Sequence, residues 1–185
     1  FLDGFVARLF KAASDMGKQL DSLADVVSFG VAPGMILYQM LRIGFAQQDN
    51  GLDISIAWLI PAFLIPLAGA WRLARFNIDT EQSYSFKGLP IPAAGLFVAA
   101  LPLIIWYPSA IVDLRIYLIN QWVLYAIIVV LSWLMVSALP LMAMKFKDYS
   151  IQNNLPKYIL VVVAVVGFVF LKWLVIPLVI ILYVI

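Results

Sequence analysis

Apolar residues in this chain gather into long runs parted by short polar stretches, not into the one-sided stripes of a surface helix. A helix crossing a bilayer needs about 20 mostly apolar residues. By that rule the first full span is Gly17 to Leu41, polar at its start and apolar after Val26, with a kink expected at Pro33-Gly34. Arg42 to Asp53 reads as a polar loop with turn residues Asp49-Asn50-Gly51. Ile54 to Phe76 is the second span and Asn77 to Gly88 a polar loop. Leu89 to Trp106 is the third span, with Pro90 and Pro92 in its first turn, where proline is tolerated. Tyr107 to Leu114 is a short turn, Ile116 to Met144 the fourth span, and Lys145 to Lys157 a basic loop. Tyr158 to Ile185 is apolar apart from Lys172. A lysine at mid-membrane is costly, so this stretch is expected to be two shorter helices meeting near Lys172-Trp173. Leu2 to Phe10 reads as the tail of a helix whose body lies upstream. The pattern predicts an all-α protein, a polytopic transmembrane helix bundle truncated at its N-terminus, with residues 1–185 as a single membrane domain.

Composition strengthens this picture. The chain is 65% hydrophobic, with a mean hydropathy of +1.03 and only 12% charged residues, about half the usual share in soluble domains. Trp58, Trp106, Tyr107, Tyr117, Trp122 and Tyr158 fall near predicted span ends, as an interfacial aromatic belt would. There is no cysteine and no histidine. That excludes disulfides and thiolate metal sites, and removes the usual neutral-pH base and the commonest metal ligand. Acid–base or metal chemistry must run on carboxylates, which favours a hard cation such as Mg²⁺ or Mn²⁺.

Basic residues are unevenly shared between the two sides that the spans define. Arg8, Lys11, Lys18, Arg72, Arg75, Lys87, Lys145, Lys147 and Lys157 fall on one side, and Arg42, Arg115 and Lys172 on the other. The richer side is expected to face the cytoplasm. Lys145, Lys147 and Lys157 would there meet anionic lipid headgroups. No feature points to a nucleic-acid partner.

The candidate chemistry lies in residues 3–25. Asp21 and Asp25 are four apart and share one helix face, one turn apart. Asp3 lies a short loop away, beside Gly4, Ala7 and Arg8. Carboxylates at a membrane edge are costly unless paired or bound to a cation. Asp3, Asp21 and Asp25 would suit one or two divalent metals. Gly4, Ala7 and Gly17 leave room for a nucleotide, and the Arg8 fork suits phosphate oxygens. Without histidine, the base that deprotonates an attacking hydroxyl should be an aspartate. The competing reading makes the aspartates interfacial charges paired with Arg8, Lys11 and Lys18. The small-residue spacing is harder to explain that way.

The run DG-x2-AR-x8-G-x3-D-x3-D resembles the signature of the CDP-alcohol phosphatidyltransferases. The family pattern opens with a further aspartate, whose position falls immediately before Phe1. The resemblance implies a multi-helix membrane enzyme that displaces CMP from a CDP-linked lipid with an alcohol, using Mg²⁺ or Mn²⁺. It implies that Asp3, Asp21 and Asp25 bind metal, that Asp25 is also the catalytic base, and that Gly4, Ala7, Arg8 and Gly17 hold the nucleotide. It also implies a site open to the cytoplasm, here at the cell membrane of a prokaryote.

Three stretches refine the acceptor. DSLADVVSFGVAPG, RLARFNI and FKGLPIPAAG resemble the branch of the family that uses L-serine, over residues 2–95. The implied substrates are CDP-diacylglycerol and L-serine, giving phosphatidylserine and CMP. A second copy of the chain is a candidate partner. Serine is a zwitterion, so its carboxylate needs a cation. Arg72, Arg75 and Lys87 are the candidates, with Arg72 and Arg75 on one helix face. The same residues could be plain positive-inside anchors. Ser28 and Asn77 could contact the amino acid or join helices by hydrogen bonds. Two alternatives stay open: the same chemistry with glycerol phosphate or inositol phosphate as acceptor, and a cation-coupled transporter using Asp21 and Asp25. A transporter would normally show midplane charges and paired repeats, and neither is visible.

Overall fold

The computed structural model describes residues 14–47, 54–78, 86–109, 112–141 and 151–184, and its framework is helical. Helix α1 (Asp15–Val26) starts at Ser14, whose backbone is extended and whose Oγ accepts the Gly17 N–H at 3.1 Å, an N-cap. It runs directly into a π-helical segment, Val27–Val31, and then into α2 (Ala32–Ala46). Gln19–Ala46 is therefore one rod of 28 residues, long and apolar enough to cross a bilayer.

The irregularity expected at Pro33-Gly34 sits one turn earlier, in the π segment. There the Ala32 amide bonds the Val27 carbonyl, five residues back. Proline lacks an N–H, and its ring crowds the carbonyl four residues behind, here that of Phe29; a widened turn relieves both. The rod also runs on to Ala46, through the start of the stretch expected to be a loop from Arg42. The reason is packing: Gly44 is buried against the Ile119 carbonyl, and the Phe45 ring tilts against Trp58 and meets Tyr125 edge-on.

The second span does not begin as an α-helix. Two 3-10 turns, Ile56–Trp58 and Ile60–Phe63, precede α3 (Leu64–Ile78). Pro61 lies in the first turn of the second of these. The third span, α4 (Ile91–Trp106), follows Pro90 as expected, with Pro92 in its first turn. The fourth begins with a short α5 (Arg115–Ile119) and restarts at Asn120, whose Oδ1 accepts the Trp122 N–H at 2.9 Å. Its main helix α6 (Gln121–Val136) stops well before Met144, because Ser137 turns the backbone extended. A two-residue strand β1 (Phe86–Lys87) then pairs antiparallel with β2 (Pro140–Leu141), in the register Phe86↔Leu141 and Lys87↔Pro140. Nothing in the hydropathy pattern announces this clasp. Gly88 allows it. Its φ is +74°, and a Cβ there would sit 2.7, 2.8 and 3.0 Å from the carbonyl oxygens of Ser137, Met135 and Leu134.

Helix α7 (Ile151–Leu171) starts inside the stretch read as a basic loop, so only part of that loop can survive. A 3-10 turn, Lys172–Leu174, separates it from α8 (Val175–Val184). The expected break at Lys172 is present, and Lys172 itself adopts φ +51°. The fully buried core comes from α2, α3, α4 and α6, through Leu37, Leu41, Ile65, Val98, Leu101, Leu124 and Ile128. The stretch Tyr158–Val184 has a mean hydropathy of 2.9, yet it is scarcely buried within the chain. Val161, Val165 and Val169 point outward. Such a surface is unfavourable in water and natural in lipid. The protein is an all-α membrane helix protein.

Candidate functional site

Two helix ends build the site: the exposed face of α1 and the last turns of α3. Asp21 is exposed on α1, and Asp25 follows it one turn later, half-buried, just before the π segment. Gly17 is exposed in the first turn of α1. A Cβ placed on it would meet only the cap oxygen of Ser14, at 3.2 Å, so the surface above it is open. Asp3, Gly4, Ala7 and Arg8 lie outside the described residues. Among the described residues no three carboxylates come together in one cluster. Two of the three proposed metal ligands are therefore placed, both offering oxygen, on one face and at helical spacing. That donor set fits a hard divalent cation and does not fit zinc or copper.

The π segment holds this helix tightly. A Cβ on Gly30 would lie 3.2 Å from the Cα of Pro66 on α3, and one on Gly95 would lie 3.0 Å from three atoms of Phe29. The small residues let α3 and α4 approach the backbone directly behind Asp25. Ser28, within the same segment, is exposed. A second tie joins the carboxylate helix to α3: Asn77 Nδ2 donates to Ser22 Oγ at 3.1 Å, with the pair partly buried. The sequence pattern leaves the partner of Asn77 open between ligand and helix. In the structure it contacts the helix.

Arg72 and Arg75 lie five and two residues before Asn77. Both line one narrow cleft with Trp71, Phe76, Met135, Val136 and Ser137. Arg72 is 9% exposed, and its Nε has no hydrogen-bond partner among the described residues. Arg75 is exposed and also lines a wider hollow of about 460 Å³ with Trp71, Ala74 and Ile78. Burying a guanidinium is costly unless an acceptor or counter-charge meets it, so the cleft is chemically suited to an anion. The backbone of Lys87 pairs with Pro140, close in sequence beyond Ser137, so the clasp brings that residue's backbone to the α6 end of the same region. Ser137 and Tyr183, which lies within electrostatic range of Arg72, were not legible as site residues. Each belongs to an apolar run that carries no motif.

These features define an integral membrane protein whose carboxylate-bearing helix stands beside a cationic cleft at one end of the bundle. The chain belongs to the CDP-alcohol phosphatidyltransferase family, whose model matches residues 1–134. It is 48% identical over 99 residues to a CDP-diacylglycerol–serine O-phosphatidyltransferase of Helicobacter pylori, covering 52% of this chain and 38% of that protein. It is 38% identical over 101 residues to the Bacillus subtilis protein of the same name, covering 55% of this chain and 52% of the relative. An archaetidylserine synthase of Methanothermobacter thermautotrophicus is 37% identical over 108 residues, covering 57% of this chain and 42% of the relative. The matches thus span about half, or less, of the length of these relatives.

Proposed function

We propose that the protein transfers a phosphatidyl group from CDP-diacylglycerol to the hydroxyl of L-serine, giving phosphatidylserine and CMP. The observation that carries this reading is the pairing of the Asp21–Asp25 face with the Arg72–Arg75 cleft on adjoining helix ends. Serine is the common word in the names of relatives whose lipid substrates differ, which supports the acceptor more directly than the lipid.

Asp3, Asp21 and Asp25 would hold Mg²⁺ or Mn²⁺, whose charge, when bound, offsets that of the diphosphate. Gly4, Ala7 and Gly17 leave space for the cytidine nucleotide, and Arg8 pairs with its phosphates. Arg72 and Arg75, with Lys87, receive the serine carboxylate. Asp25 takes the hydroxyl proton as the serine oxygen bonds to the phosphatidyl phosphorus and the bond to CMP breaks. The carboxylate helix faces the cytoplasm, on the strength of the basic-residue bias. Membrane lipids surround the exposed helices, and a second copy of the chain is a candidate partner.

The test is CMP release from CDP-diacylglycerol with serine, glycerol phosphate or inositol phosphate supplied singly. Release that depends on serine is expected. Equal or faster release with another acceptor would move the protein to a sister activity.

A further inference from the structure

We propose that Asn77 is a positioning residue for the carboxylate helix: its hydrogen bond to Ser22 steadies the turn of α1 between Asp21 and Asp25, and so the direction in which they point. The inference rests on reading those aspartates as cation ligands.

Ser22 lies one residue after Asp21 and three before Asp25, so a restraint on it acts on both. Among the described residues, the apolar side chains in the first turns of α1 are sparsely packed. Met16, Leu20 and Leu23 are 72%, 54% and 62% exposed, whereas Val26 at the end of α1 packs against the core. Apolar contacts are non-directional and resist rotation weakly, whereas a hydrogen bond demands a direction. The 3.1 Å bond from Asn77 supplies that direction. Its other end is firm, because α3 is anchored in the core by Ile65, Ala68, Arg72 and Leu73. Asn77 therefore transmits the position of the core to the helix that carries both carboxylates. An ordinary interhelical bond would only hold two helices together. Its loss would lower stability and leave the cation affinity of the folded protein unchanged.

The experiment titrates Mn²⁺ into the purified, chelator-stripped protein in detergent, with free Mn²⁺ read by electron paramagnetic resonance and thermal unfolding measured in parallel. Ser22→Ala and Asn77→Ala should each weaken Mn²⁺ binding roughly tenfold, the lower range for residues that orient metal ligands. The double variant should be no weaker than either single, since both remove one interaction. Ser22→Thr keeps the hydroxyl and should recover most of the affinity. Asn77→Gln keeps the helix end polar, so that folding is preserved, but displaces the amide; it should weaken binding as well. Unchanged Mn²⁺ affinity in the folded single variants, or losses that add in the double, would overturn the positioning role. Wild-type protein that binds no Mn²⁺ would overturn the cation reading itself, a separate and recognisable result.

Discussion

Asp25 carries the largest share of the proposed chemistry, as both ligand and base. Asp25→Asn keeps its size and removes its charge, so CMP release should fall at least about 100-fold, the low end for a positioned acid–base group. Near-native release from well-folded Asp25→Asn protein would remove it from the mechanism. Arg72 makes a different prediction. Hydrogen bonds to charged groups contribute about 1.5–3 kcal/mol, so Arg72→Leu should raise the KM for serine by roughly 10- to 100-fold while leaving the KM for CDP-diacylglycerol near its original value. If the lipid KM moves instead, Arg72 serves the lipid phosphate. At this scale the sequence was informative where spacing is local. Asp21 and Asp25 needed only a helix to become neighbours. Ser22 and Asn77 are 55 residues apart, and nothing in either segment announces the other.

At the scale of elements, the apolar runs announced the long helices but not their ends. Gly44 and Phe45 continue α2 because a neighbouring carbonyl and two aromatic rings await them, and hydropathy cannot see neighbours. The π segment was hidden for a similar reason: Val-Ser-Phe-Gly-Val is unremarkable until Pro33 and the backbone of α3 crowd it. Lys172 was legible, because one cation in an apolar run is conspicuous. Its left-handed backbone also makes a prediction. A non-glycine residue there costs about 1–2 kcal/mol, and glycine gives back about 0.5–1 kcal/mol in chain entropy. Lys172→Gly should therefore stabilise the protein slightly, by up to about 1 kcal/mol, seen as a higher midpoint of thermal unfolding in detergent. A clear drop would mean that the long 3.5 Å contact from Lys172 Nζ to the Pro108 carbonyl matters more than the strain.

For the whole molecule, two outcomes test the proposed reading. Activity should vanish with a chelator and return with Mg²⁺ or Mn²⁺; full activity after exhaustive metal removal would contradict oxygen-ligand metal dependence. The chain has no cysteine, so single-cysteine reporters need no background removal. An impermeant thiol reagent should label Arg115→Cys from outside intact cells, and Lys157→Cys only after permeabilisation. The reverse pattern would invert the orientation. One consequence follows from α3, which carries Arg72, Arg75 and Asn77 on a single rigid rod. At about 1.5 Å per residue, the rod places its two cations roughly 7 Å and 3 Å along the axis from the amide tied to α1. On the proposed reading, it is a measuring stick between the acceptor's charged end and its reacting end. A longer acceptor would then be refused by length, not by lack of affinity. Inserting one residue after Arg75 would turn both guanidinium groups by about 100° relative to the amide. On the proposed reading, serine would lose its place.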